Sequence, residues 1–153
     1  MDESANLGLI RPPFVYLAAI VLGLILHWLW PVRVLPASIS VPAGVVLVVA
    51  AGALFISAVR TLQKAGTPVP GNRPTTAIVR AGPYGFTRNP IYLAFTLLQL
   101  GIAAWVNSAG VVLTLLPALA LMALVVIPRE ERYLEARFPS EYLAYQRAVR
   151  RWL

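Results

Sequence analysis

The sequence predicts an all-α protein: an integral membrane bundle of four transmembrane helices, followed by an amphipathic helix on the cytosolic side. Three observations lead there. Of the 153 residues, 59% are hydrophobic, and the mean hydropathy of +0.73 is too apolar for a water-soluble domain of this size. The apolar residues fall into long uninterrupted runs. Cations, not acidic residues, separate those runs. The formal net charge of +7 therefore reads as membrane topology and not as a nucleic-acid surface, since the cations do not gather on one solvated face. There is no cysteine, which excludes disulfides, thiolate chemistry and cysteine metal sites. No metal ligand set is expected.

Taken in order, the first span covers residues 14–30, the second 43–59, the third 91–106 and the fourth 109–127. Each lies near the roughly 17–25 residues that cross a hydrocarbon core, the first and third at the short end. No small-residue cleavage pattern follows the first run, so it reads as a span and not as a secretory signal. Trp28, Trp30 and Trp105 stand at span ends, where an amphipathic indole is most comfortable. His27, among them and without an acidic partner, reads as interfacial.

Basic residues set the orientation. Arg60, Lys64, Arg73, Arg80 and Arg88 lie between the second and third spans, and Arg129, Arg132, Arg137, Arg147, Arg150 and Arg151 follow the fourth. Both segments belong in the cytoplasm. The other side keeps Arg33 and the uncharged turn at Asn107–Ser108, so both termini are predicted cytoplasmic, with the third and fourth spans forming a hairpin. Pro128 is expected to mark the exit from the fourth span, and Pro139 with Ser140 to divide two cytosolic helices. Phe138, Tyr142, Tyr145, Val149 and Trp152 recur at steps of four and three and predict one apolar stripe, with Arg147, Arg150 and Arg151 off it. The chain is expected to be one domain, 1–153, whose cytosolic parts are 60–90 and 128–153.

Ahead of the third span lies a crowded knuckle, GPYGFTRNP, Gly82 to Pro90. Its glycines permit a tight turn, Pro90 suits a first helical position, and Asn89 is expected to cap the helix with its side chain. Arg88 beside that N-terminus suits an anionic group; equally, it reads as a snorkelling arginine at a capped helix start. Tyr92, Thr96 and Gln99 share one face, which must meet protein or a cavity and not lipid. Interhelical hydrogen bonding suits Thr96 and Gln99, whereas Tyr92, nearest the knuckle, is the better ligand candidate.

All six acidic residues lie in two places: Asp2 and Glu3, then Glu130, Glu131, Glu135 and Glu141. Adjacent helical residues differ by about 100°, so Glu130 and Glu131 cannot point the same way. Glu131 shares the apolar face of Leu134 and Phe138, and Glu130 the face of Tyr133 and Arg137. An inward carboxylate needs a partner, and Arg88 is the expected one, whether as a structural ion pair or as part of a site.

The stretch GTPVPGNRPTTAIVRAGPYGFTRNPIYLAF, followed after one hairpin by EERYLEARFPSEYLAYQRAVRRW, resembles the isoprenylcysteine carboxyl methyltransferase family and its phospholipid N-methyltransferase relatives. The resemblance covers the second half of the chain, from Gly66 onward. Gly82, Pro83, Tyr84, Arg88, Asn89, Pro90 and Tyr92 match its first motif; Glu130, Glu131, Leu134, Phe138, Tyr142 and Tyr145 match its second. Asn89 stands where the eukaryotic type has histidine, and Pro139 where glycine usually follows the phenylalanine.

What the resemblance implies is transfer of a methyl group from S-adenosylmethionine to a lipid-borne or prenylated acceptor, in a pocket at the cytosolic surface of a bacterial or archaeal inner membrane. Arg88 and Glu131 are then the catalytic candidates. Tyr84, Asn89, Pro90, Tyr92, Glu130, Glu131, Tyr142 and Tyr145 are the cofactor-binding candidates. A carboxylate acceptor needs only positioning by arginine, whereas an ammonium needs a base, for which Glu131 is the candidate. Two alternatives stand beside this reading: a membrane reductase using NADPH, and a non-catalytic scaffold, which would lack a cavity at its cytoplasmic surface.

Overall fold

The computed structural model describes residues 11–69 and 74–153; Asp2, Glu3 and Arg73 lie outside the described residues. Every regular element among the described residues is helical. Helix α1 (Pro12–Leu29) opens on two prolines, placed in the first turn where a missing N–H breaks no bond. Helix α2 (Ala37–Lys64) has 28 residues and outruns the expected 43–59 at both ends. It begins early because the Pro36 carbonyl accepts from Ile39 and Ser40 at 3.0 and 3.1 Å, and Pro42 is tolerated inside. It ends late because Arg60, Thr61 and Lys64 continue the same helix past the apolar stretch.

Helix α3 (Pro90–Trp105) has 16 residues, about 24 Å of rise, short of the roughly 30 Å of a hydrocarbon core. Helices α4 (Ala109–Leu121) and α5 (Ile127–Arg137) are joined by a π-helical turn, Met122–Val126. The three make one continuous helix, Ala109–Arg137. Pro128 stands where the apolar run gives way to Arg129 and Glu130, and a helix continues out of the fourth apolar segment past it, as expected. The wider turn, in which the Ile127 N–H donates to the Met122 carbonyl, makes room for the proline ring inside the helix. Helix α6 (Pro139–Ala148) does start at the expected division, but it stops before Val149, which is extended. The predicted stripe from Phe138 to Trp152 is thus not one helix. Three helices, α1, α2 and Ala109–Arg137, are long and apolar enough to cross a membrane, and α3 is a shorter apolar fourth.

Helix α2 packs along α3 and α1 along α4. The second crossing is close: a Cβ on Gly110 would lie 2.8 Å from the Gly23 carbonyl oxygen, so only glycine lets these backbones meet. Large side chains on the outside, such as Leu17, Val46, Val49, Leu113 and Leu116, are exposed, the distribution a lipid solvent selects. At one end of the bundle the loop after α1 meets the turn after α3. Asn107, with φ at 54°, accepts from the Val34 and Leu35 N–H groups at 2.8 Å each and donates to the Leu35 carbonyl at 2.7 Å. The opposite end carries the knuckle, α5, α6 and the C-terminal tail, and there the candidate site is found.

Candidate functional site

Gly82 holds φ at 55°, which turns the chain into a single 3₁₀ turn, Gly82–Gly85, and buries Tyr84. Arg88 and Asn89 follow and lead into α3. The sequence reading expected Asn89 to cap α3 with its side chain; it makes no such bond. Its amide donates instead to the Arg151 carbonyl at 2.9 Å. The Thr87 hydroxyl donates to the same carbonyl at 3.3 Å, and the Arg88 N–H to the Arg150 carbonyl at 2.9 Å. The tail is therefore tied across the knuckle.

Around this tie the acidic pair is arranged. Glu131 is buried, and its Oε1 lies 3.0 Å from Arg88, the expected partner. Arg151 adds a bidentate grip, its Nε 3.0 Å from Oε1 and its Nη2 2.6 Å from Oε2. This hydrogen bond holds the Arg151 guanidinium above its ordinary pKa. Sequence reasoning missed Arg151, because the helical wheel placed it off the stripe while the chain has in fact left the helix at Val149.

Glu130, on a different face of α5 from Glu131, also reaches the cavity. It accepts from the Tyr92 hydroxyl at 2.5 Å and lines the same cavity as Glu131. The two carboxylates do diverge by the angle a helix imposes, but the cavity wraps around α5, so one reaches the α3 flank and the other the tail flank. Burial is the main reason the Glu130 carboxyl is pushed up to about 7; the Tyr92 bond opposes it and the Glu131 charge adds to it.

Tyrosines complete the walls. The Tyr145 hydroxyl donates to the Tyr84 carbonyl at 2.7 Å, and Arg88 approaches the Tyr142 hydroxyl at 3.4 Å. Burial raises the pKa of Tyr84, Tyr142 and Tyr145, so all three remain neutral phenols at physiological pH. Tyr84, Arg88, Asn89, Pro90, Tyr92, Glu130, Glu131, Tyr142 and Tyr145 line one cavity of about 200 Å³. Its other wall is apolar: Pro12 of α1, Phe55 and Leu62 of α2, Ile91 and Phe95 of α3. Tyr133, which was not among the site candidates, also lines it. Its hydroxyl and the Arg88 Nε are buried without a hydrogen-bond partner among the described residues.

The remaining polar residues of α3 serve the bundle. Thr96 shares a bond of 2.9 Å with the Tyr16 hydroxyl, and Gln99 donates to the Val111 carbonyl at 3.1 Å and the Thr114 hydroxyl at 3.3 Å. His27 lies in the last turn of α1, at the far end from the cavity.

Known proteins resemble this chain in sequence. The chain is 39% identical over 75 residues to the cobalt-zinc-cadmium resistance protein CzcN of Cupriavidus metallidurans, a match covering 49% of this chain and 34% of that protein. It therefore spans about a third of that relative's length. It is 35% identical over 63 residues to an uncharacterized protein of Haemophilus influenzae, covering 41% of this chain and 100% of the relative. No solved structure matches. A family model described as phospholipid methyltransferase matches residues 39–141, which takes in α2, the knuckle, α3, the acidic pair and the start of α6. With that match over more than half its length, the chain belongs to the phospholipid methyltransferase family.

Proposed function

We propose that the protein transfers the methyl group of S-adenosylmethionine to a lipid-borne acceptor at the cytoplasmic surface of a bacterial or archaeal inner membrane. The observation that carries this reading is the two-sided cavity, in which a charged, tyrosine-rich wall faces an apolar wall made by α1, α2 and α3. A water-borne ligand and a lipid-borne one need such contrasting walls in a single space.

The residues present fit the cofactor. The buried Arg88 Nε and Tyr133 hydroxyl are donors without partners, and the cofactor offers a carboxylate and ribose oxygens to accept from them. Neutral phenols at Tyr84, Tyr142 and Tyr145 present π faces or oxygens to a cation. When bound, S-adenosylmethionine supplies an activated methyl group on a cationic sulfur. The chain's part is to align and to exclude water: Arg88 and Glu131 fix the polar end, and Tyr145 holds the knuckle through the Tyr84 carbonyl.

In the full reading α3 crosses as a fourth span and both termini are cytoplasmic, as a single domain. The cation bias supports this orientation, since Arg80, Arg88, Arg137 and Arg151 gather at the cavity end. Reporter fusions at Leu153 and near Ser38 should give opposite signals; equal signals would remove the four-span reading. The activity is tested by incubating purified protein with methyl-labelled S-adenosylmethionine and a total membrane lipid extract. Label should enter the lipid fraction, and S-adenosylhomocysteine should bind the detergent-solubilised protein. Binding of NADPH in place of S-adenosylhomocysteine would overturn the reading.

A further inference from the structure

Helix α2 divides its circumference sharply at the cavity end of the bundle. Ala58 and Leu62 are buried against the bundle, and Leu62 lines the cavity. Ala53, Ile56, Ser57, Arg60 and Lys64 recur at steps of three and four and are all exposed, so they form one outward face. With Thr61 they line an open groove of about 390 Å³ that shares no residue with the cavity.

The groove changes character along its length. Toward the middle of α2 the same face runs on through Gly52, Val49 and Val46, all exposed, and a side chain added at Gly52 would meet open space. The small residues at 52 and 53 thus leave a shallow apolar channel. A turn further on, Ser57 offers a hydroxyl, and Arg60 and Lys64 add two cations one helical turn apart. Neither cation enters a salt bridge among the described residues, and no acidic residue lines the groove. The Thr61 hydroxyl donates to the Ser57 carbonyl at 2.8 Å, so the donors left for a ligand are Ser57, Arg60 and Lys64.

We propose that this groove binds one anionic phospholipid, distinct from the methyl acceptor, with its phosphodiester on Arg60, Lys64 and Ser57 and an acyl chain along Ala53 and Gly52. Three features select that ligand. The groove lies where the apolar face of α2 gives way to cations, which is the depth of lipid headgroups. Two cations without an acidic neighbour suit a headgroup of net negative charge, whereas the ammonium of a zwitterionic headgroup would face like charge. The apolar channel leading away from the cations calls for an occupant that carries hydrocarbon, which a free phosphate lacks. Positive charge that only orients the chain serves wherever it stands around this turn of α2. Here both cations, the hydroxyl and the small residues fall on a single face. The inference stands on α2 and not on the methyltransferase reading.

The test titrates the full-length detergent-solubilised protein with phosphatidylglycerol, with phosphatidylcholine and with inorganic phosphate, and reads bound lipid by native mass spectrometry. Phosphatidylglycerol should bind at least about fivefold tighter than phosphatidylcholine, and inorganic phosphate at equal concentration should not displace it. A cation near anionic lipid contributes about 1 kcal/mol, so Arg60→Gln and Lys64→Gln should each weaken phosphatidylglycerol about fivefold, and the double variant about twenty-fivefold. Ala53→Leu alters an exposed position and keeps every charge, but fills the channel, and should weaken binding at least about threefold. Arg129→Gln removes an exposed cation from α5 and should stay within about twofold of wild type. A loss in Arg129→Gln equal to that in Arg60→Gln would reduce the effect to net charge and overturn the inference. So would equal binding of phosphatidylcholine, wild-type affinity in the double variant, or unchanged affinity in Ala53→Leu. Displacement by inorganic phosphate would overturn it too, since the groove would then hold a bare anion and not a lipid.

Discussion

The ion network around Glu131 allows a quantitative test, because its two arginines differ in access to water. Arg88 and Glu131 each keep about 12% side-chain exposure, whereas Arg151 keeps 40%. An Arg88 left without its carboxylate cannot rehydrate in place, so the Arg88–Glu131 pair should show a coupling of about 1.5–3 kcal/mol. Arg151 can swing into solvent, and its coupling to the same carboxylate should stay below about 1 kcal/mol despite the shorter contact. Two double-mutant cycles measure these terms: Arg88→Gln with Glu131→Gln, and Arg151→Gln with Glu131→Gln. Stability is read from unfolding of the detergent-solubilised protein in sodium dodecyl sulfate, followed by helical circular dichroism. A coupling for Arg151 equal to or above that for Arg88 would refute the argument from solvent access. The Arg88→Gln, Glu131→Gln double variant carries a second readout. It should recover much of the stability lost in either single variant and still fail to bind S-adenosylhomocysteine; retained binding would leave the pair a structural latch.

Three further outcomes follow from individual contacts. The Glu130 carboxyl binds its proton more tightly folded, near 7, than at its ordinary 4.5, so its contribution to stability is complete below about 4.5 and is lost as pH rises through about 7. Unfolding midpoints should fall across that window in the wild type and flatten in Glu130→Gln. Asn107→Ala removes three bonds to the loop after α1 and leaves a side chain at positive φ, a loss of about 2–4 kcal/mol; Asn107→Gly, free of the φ cost, should lose less. Asn89→His, which can still donate one N–H toward the Arg151 carbonyl, should stay closer to wild type in S-adenosylhomocysteine affinity than Asn89→Leu, and the reverse order would remove the tail tie as the reason for this residue.

Much of this architecture was legible because it depends on composition and period. Apolar runs gave the helices, and adjacency in the motifs gave the cavity residues from Tyr84 to Tyr145. The failures share one cause, local departures from a regular helix. Pro128 reads as the exit from the fourth span, but nothing in the sequence shows the π-helical turn that precedes it. Arg151 reads as an off-stripe surface cation unless the chain becomes extended at Val149. Asn107 has no sequence signal beyond a polar turn residue, since its three partners lie more than seventy positions away in the loop after α1.

The tail explains why the two motifs line one cavity although a helical hairpin separates them. Residues 150 and 151 bond to the knuckle through their carbonyls and to the acidic helix through the Arg151 guanidinium, so a single short segment joins α3 to α5. The polar wall of the cavity therefore depends on the tail being docked, while the apolar wall depends on α1, α2 and α3 packing in the membrane. A change in Arg151 should act first on the affinity for a water-borne ligand, and a change in Phe55 or Phe95, whose rings pack 5.7 Å apart, first on the choice of acceptor. Glu130 stands where the two walls meet. It is held by Tyr92 in the first turn of α3 and lines the same space that the tail closes, so changes in either wall reach it.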